Sequence, residues 1–187
     1  MPTQKVTREE ILLKAIDLFR RQGYYRTSMS DLAEAVGLLK GSFYHYFDSK
    51  EALMQAVLLF VKDSLEQRVY PIAYQDDLLP QERLEKMLRR LYKALLSGEG
   101  GCIVGNTTLE TALLVPEFRV ILRAIFDGWI QAQAHLYTLV HAPEKAKDLA
   151  EQTVMEFEGA IMLSKLYDNN QHFEACYQRA IQRLSAS

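Results

Sequence analysis

The chain has 187 residues, 49% of them hydrophobic and 10% aromatic, enough apolar material for one large or two small packed domains. Its 22 Lys and Arg against 24 Asp and Glu give a formal charge of −2, and only residues 1–50 are mildly basic, with eight cationic against six anionic side chains. That argues against a protein that wraps long nucleic acid by charge, and no run approaches the roughly 18 apolar residues of a membrane span.

The polar Met1–Glu10 stretch does not read as a signal peptide, so a cytoplasmic protein is expected. Met1–Val6 should be frayed. Thr7-Arg-Glu-Glu10 is a capping box, and apolar residues at 11, 12, 15, 16, 18 and 19 predict a helix that Gly23 ends. Ser28-x-x-Asp31 caps a second, short helix with apolar residues at 29, 32, 33 and 36. Gly37 then supplies a residue able to take positive φ, and a third helix follows within about three residues, the spacing of a helix-turn-helix. Phe43, Tyr46 and Phe47 share its inner face. Asp48-x-x-Glu51 reads as the cap of a fourth helix, which runs unbroken to about Val69 with Leu53, Ala56, Val57, Phe60 and Val61 on one side.

Pro71–Pro80 is predicted to be a loop, and Leu84, Met87, Leu88, Leu91 and Leu95 mark a fifth helix that stops at the glycine-rich, flexible Ser97–Gly101. A short helix over Ile103–Leu114 is closed by Pro116, a long one spans Glu117 to about Val140, Pro143 opens another to about Tyr167, and Asp168-Asn-Asn170 separates a last helix. No strand or repeat is evident. The expected fold is all-α with nine helices, residues 1–47 forming an N-terminal helix-turn-helix unit and residues 48–187 the remainder.

The outward residues of the third helix carry chemistry. Lys40, Ser42, Tyr44 and His45 are a cation, a hydroxyl, an amphipathic aromatic and an imidazole, groups that contact phosphates and base edges when a helix lies in a major groove. Gly41 permits close backbone approach, while Lys50 and Thr27 stand near helix starts, where a phosphate is favoured. The residues alone also allow a purely structural helical hairpin.

Taken together, Thr27, Leu32-Ala33, Val36-Gly37, Lys40-Gly41, Phe43-Tyr44, Tyr46-Phe47 and Ser49-Lys50-Glu51 resemble the signature of the TetR/AcrR family of transcriptional regulators. The resemblance implies that Thr27, Lys40, Tyr44, His45 and Lys50 touch the DNA backbone and that Gly41 and Ser42 lie nearest the bases of a double-stranded operator. One departure is Leu39, where the family usually carries Ser, Thr, Ala or Pro.

In the C-terminal part, Asn106 and Glu110 sit one turn apart on a short, otherwise apolar helix. They serve either to fix that helix in place or as polar groups of a ligand cavity walled by Trp129, Gln133 and Tyr137. The segment is similar to one in a subset of the family that includes regulators of acrylate response and of N-ethylmaleimide reductase genes. In some relatives a nearby cysteine senses electrophiles. Cys102 matches in position, at a glycine-rich helix start able to lower its pKa, although a buried, inert cysteine is the simpler reading.

Cys102 and Cys176 lack metal or disulfide spacing, and no constellation of nucleophile, paired carboxylates or phosphate loop suggests an enzyme or a cofactor. The apolar stripes of the last two helices suggest a four-helix bundle between two subunits, and a homodimer would read a palindrome. The expected function is a regulator, most simply a repressor, released by a small-molecule or electrophile effector. An all-α carrier protein that keeps its helix-turn-helix for structure is the alternative.

Overall fold

Thr7 starts the first helix as expected: its hydroxyl accepts the Glu10 N–H at 3.1 Å while the Glu10 carboxylate accepts the Thr7 N–H at 2.7 Å. The computed structural model describes residues 6–96 and 99–185, so the expectations of fraying over Met1–Lys5 and of flexibility at Ser97–Gly98 lie outside the described residues. Helix α1 (Arg8–Gln22) buries Ile11, Leu12, Ala15, Ile16, Leu18 and Phe19 and stops at Gly23, whose φ of 84° is open to glycine at little cost. Helix α2 (Met29–Ala35) begins with a second capping box, Ser28 with Asp31, and ends before Gly37 at φ 70°. Helix α3 (Lys40–Phe43) is short, and turn hydrogen bonds carry the chain on to Phe47. Phe43 and Phe47 are both buried, which anchors α3 against α1 and α2.

Helix α4 (Lys50–Arg68) corrects one expectation. Ser49, not Asp48, is its cap, accepting the Ala52 N–H at 3.0 Å. The Glu51 carboxylate instead accepts the Tyr24 hydroxyl at 3.0 Å, tying α4 to the turn after α1. The buried face of α4 is also wider than one stripe, with Leu53, Met54, Val57, Leu58, Val61 and Leu65 enclosed, because the rod packs against α1 at one end and α5 and α7 at the other.

The predicted loop after α4 contains a 3-10 helix at Tyr70–Tyr74. Pro71 suits a first turn, where its missing N–H costs nothing. Tyr70, Ile72 and Ala73 are buried, and the Tyr70 hydroxyl donates to the Ile125 carbonyl at 2.7 Å. Helices α5 (Pro80–Leu96), α6 (Ile103–Thr111), α7 (Pro116–Tyr137), α8 (Pro143–Tyr167) and α9 (Gln171–Ser185) complete the order. Pro116 opens α7 rather than closing α6, which ends three residues earlier than expected. Asp168 ends α8 at φ 51°, a left-handed cap that aspartate tolerates. Among the described residues the architecture is nine α-helices without a strand.

Candidate nucleic-acid interface and ligand cavity

Buried Phe43 and Phe47 fix α3 from below, and Lys40, Gly41, Ser42, Tyr44 and His45 are all exposed on its other side. Tyr44 is 41% exposed, its ring free to lie along a backbone or base edge. Leu39 is 81% exposed and, as the residue before α3, makes no side-chain cap.

Two residues expected to meet phosphates are placed differently. Thr27 is buried, and its hydroxyl donates to the Gly23 carbonyl at 2.7 Å, bracing the turn between α1 and α2. The Lys50 ammonium donates to the Tyr24 carbonyl at 2.9 Å and lies 4.4 Å from the centre of the Tyr24 ring. Both hold the turn on which α2 is mounted, since a polar group near a helix start is satisfied by the nearest backbone acceptor when no ligand is present.

Asn106, Glu110, Trp129, Gln133 and Tyr137 are not brought together around one cavity. Glu110 turns toward the N-terminal helices, where its carboxylate accepts the Tyr25 N–H at 3.2 Å and lies close over Gly23. Asn106 donates to the carbonyls of Gly100 at 2.7 Å and Arg20 at 3.4 Å. Helix α6 thus grips the end of α1 and the turn after it.

Trp129, Gln133 and Tyr137 lie instead in a closed relay along one face of α7. The Trp129 indole donates to the Gln133 carbonyl oxygen at 3.0 Å, the Gln133 amide donates to the Tyr137 hydroxyl at 2.9 Å, and that hydroxyl donates to the Ala180 carbonyl at 3.1 Å. All three are buried, and their polar groups are paired with one another.

An opening lies elsewhere, between α6 and α8. A cavity of about 410 Å³ is lined by Cys102, Asn106 and Leu109 on one side and Glu158, Gly159 and Met162 on the other, with Phe126 at its floor. Of the six residues proposed from sequence for a ligand site, only Cys102 and Asn106 border it. Cys102 caps α6, its sulfur accepting the Gly105 N–H at 3.4 Å. Burial, and then the neighbouring Glu158 carboxylate, push its thiol pKa up, which favours the buried, inert cysteine over the activated thiolate.

Sequence reasoning missed Glu158. Its pKa is raised, with burial the dominant cause, and its Oε1 is buried without a hydrogen-bond partner. The signal available was a carboxylate set among Val154, Phe157 and Ile161 on an otherwise apolar stripe of α8. Tyr24, which orders Lys50 and Glu51, was missed as well.

Residues 11–57 match the family model for bacterial regulatory proteins of the tetR family, and residues 80–179 match that for the C-terminal domain of LmrA/YxaF-like transcriptional regulators. The chain is similar to the transcriptional repressor DhaR of Mycobacterium sp. strain GP1, with 27% identity over 88% of this chain and 85% of that protein. It is also similar to the transcriptional regulator AcuR of Cereibacter sphaeroides, with 29% identity over 88% of this chain and 79% of that one. A TetR transcriptional regulator from Legionella pneumophila shares the fold, at a TM-score of 0.86 and 24% identity, covering 97% of this chain and 98% of that one.

Proposed function

This chain belongs to the TetR family of DNA-binding transcriptional regulators, and from that premise we propose that it is a homodimeric repressor of a palindromic operator, released by a small molecule that occupies the cavity between α6 and α8. The observation that carries the DNA reading is the exposed row Lys40, Gly41, Ser42, Tyr44 and His45, held clear of the core by Phe43 and Phe47. The relative DhaR is named a repressor, which supports the sign of regulation. Residues 1–47 act as the reading unit and 48–187 as the body. No helix among the described residues is long and apolar enough to cross a membrane, which fits action on DNA in the cytoplasm.

Dimerisation falls mainly to α8. On α9, Cys176, Ala180 and Leu184 are buried and Phe173, Tyr177 and Ile181 pack against the core of their own subunit. On α8, Met155, Met162 and Leu166 are 62–69% exposed along one stripe, so the cavity whose wall includes Met162 and Gly159 opens beside the subunit seam. Leu109 of α6, 88% exposed, borders the same opening as Met162 and extends that apolar surface. A surface of this kind calls for a partner, and a second copy related by a twofold axis supplies one.

Release follows from the two sides of α6. One borders the cavity through Asn106 and Leu109, and the other holds the reading unit through Asn106 and Glu110. An effector that shifts α6 moves the seat of α1, and a coupling of about 1–3 kcal/mol suffices for regulation. Burial of Cys102 favours reversible occupancy over electrophile capture at that thiol. The deciding experiment selects fragments bound by the purified protein from random DNA at near-physiological salt. One enriched palindrome whose binding weakens steeply with salt is expected, and no enrichment by a folded dimer would overturn the proposal.

A further inference from the structure

We infer that the cavity between α6 and α8 takes a cationic organic molecule, its ammonium or similar N–H donor seated on the Glu158 carboxylate and its apolar body against Phe126, Ile161 and Met162. This rests on the reading of that cavity as the effector site and goes further by naming the chemical class of its ligand.

The lining has one open polar demand. Asn106 spends its amide on the Gly100 and Arg20 carbonyls, Thr108 donates to the Val104 carbonyl at 2.8 Å, and Lys165 donates to the Gly100 carbonyl at 3.2 Å. Glu158 Oε1 receives nothing, although it is buried. A carboxylate oxygen out of water without a donor is costly, and the strongest remedy is a charge-assisted hydrogen bond.

The fold makes room for this carboxylate. A Cβ built on Gly105 would collide with Glu158 Oε2, so the carboxylate of α8 fits against the first turn of α6 only because that position is glycine. Leu109, Phe126, Ile161 and Met162 supply the apolar part of the wall, and the volume of about 410 Å³ suits a small organic molecule. Two other titratable groups face the site, the Cys102 thiol beside the carboxylate and Lys165 at the rim. Burial raises the Glu158 pKa, and a cation seated beside the carboxylate acts in the opposite direction.

The test uses the full chain and three probes with one body: 4-phenylbutylamine, 4-phenylbutanol and 4-phenylbutyrate. Calorimetric titration of wild type and Glu158→Gln reads the affinities. The expected result is that wild type binds the amine about ten- to a hundred-fold tighter than the alcohol, and the carboxylate most weakly. Glu158→Gln should bring the amine to the level of the alcohol. If the alcohol binds wild type as tightly as the amine, or Glu158→Gln keeps the preference, the cationic class is overturned while the effector cavity survives. Failure of all three probes to bind folded wild-type protein overturns both. Should Glu158→Gln not fold, the wild-type contrast of amine against alcohol and carboxylate decides alone.

Discussion

Replacing Tyr137 by Phe removes one oxygen and separates two accounts of the α7 relay. The hydroxyl accepts from the Gln133 amide at 2.9 Å and donates to the Ala180 carbonyl at 3.1 Å, in a site where Gln133 and Tyr137 have no solvent exposure. Without it the Gln133 N–H loses its acceptor and no water reaches it. An orphaned buried donor costs about 1–3 kcal/mol and each net hydrogen bond about 1, so the variant should lose about 2–4 kcal/mol. For a chain of this length that is a fall in Tm of roughly 4–15 °C, measured by thermal denaturation at fixed protomer concentration because a dimer's Tm depends on it. Adding Gln133→Leu should cost less than the sum of the two single changes, since the stranded amide goes with it. A loss below about 1 kcal/mol, joined to an altered effector response, would refute this reasoning and restore the relay as part of a ligand site.

Four further outcomes are expected. Tyr44→Ala should abolish operator binding in gel shift while sizing shows the dimer intact. Leu39→Ser should give α3 the cap it lacks and raise stability by about 1 kcal/mol in denaturant titration. Gly128→Ala places a Cβ 2.6 Å from the Tyr70 ring, and overpacking of about 1–3 kcal/mol should appear in the same titration. Burial alone would raise the Glu156 carboxyl, but hydrogen bonds from Arg183 and Arg179 outweigh it and hold the pKa low. A lowered folded pKa stabilises above the unfolded carboxylate range and the gain is lost as pH falls through it, so Glu156→Gln should flatten the decline in Tm below about pH 4.5.

The helices were legible because each announces itself locally. Capping boxes at Thr7 and Ser28 and the glycines at 23 and 37 satisfy or end a helix with groups a few residues away, and the structure keeps all four. The Tyr70–Tyr74 turn was not legible, because burial against α7 overrides the proline-bounded composition that reads as a loop. The outward face of α3 followed from period alone. The ligand site did not, since periodicity places Asn106 and Glu110 on α6 but not which neighbour they face. The α1 carbonyl and the Tyr25 N–H that claim them are some 85 residues away in sequence. The sequence left the state of Cys102 open for the same reason: a helix start lowers a thiol's pKa only where water or cations remain, and here α8 seals it beside a carboxylate.

The joint between α6 and the N-terminal helices has a consequence for how such a molecule diversifies. On the head's side its hydrogen bonds go to main-chain atoms, the Arg20 carbonyl, which any residue provides, and the Tyr25 N–H, which any but proline provides. Two positions are exceptions: a Cβ at Gly23 would lie 2.7 Å from the Glu110 carboxylate, and the Arg20 side chain is buried close to Gly100. The joint therefore depends on few side chains of the part it holds. The surface that reads DNA can drift toward new operators, or be exchanged for that of a relative, without rebuilding the linkage, provided a glycine ends its first helix.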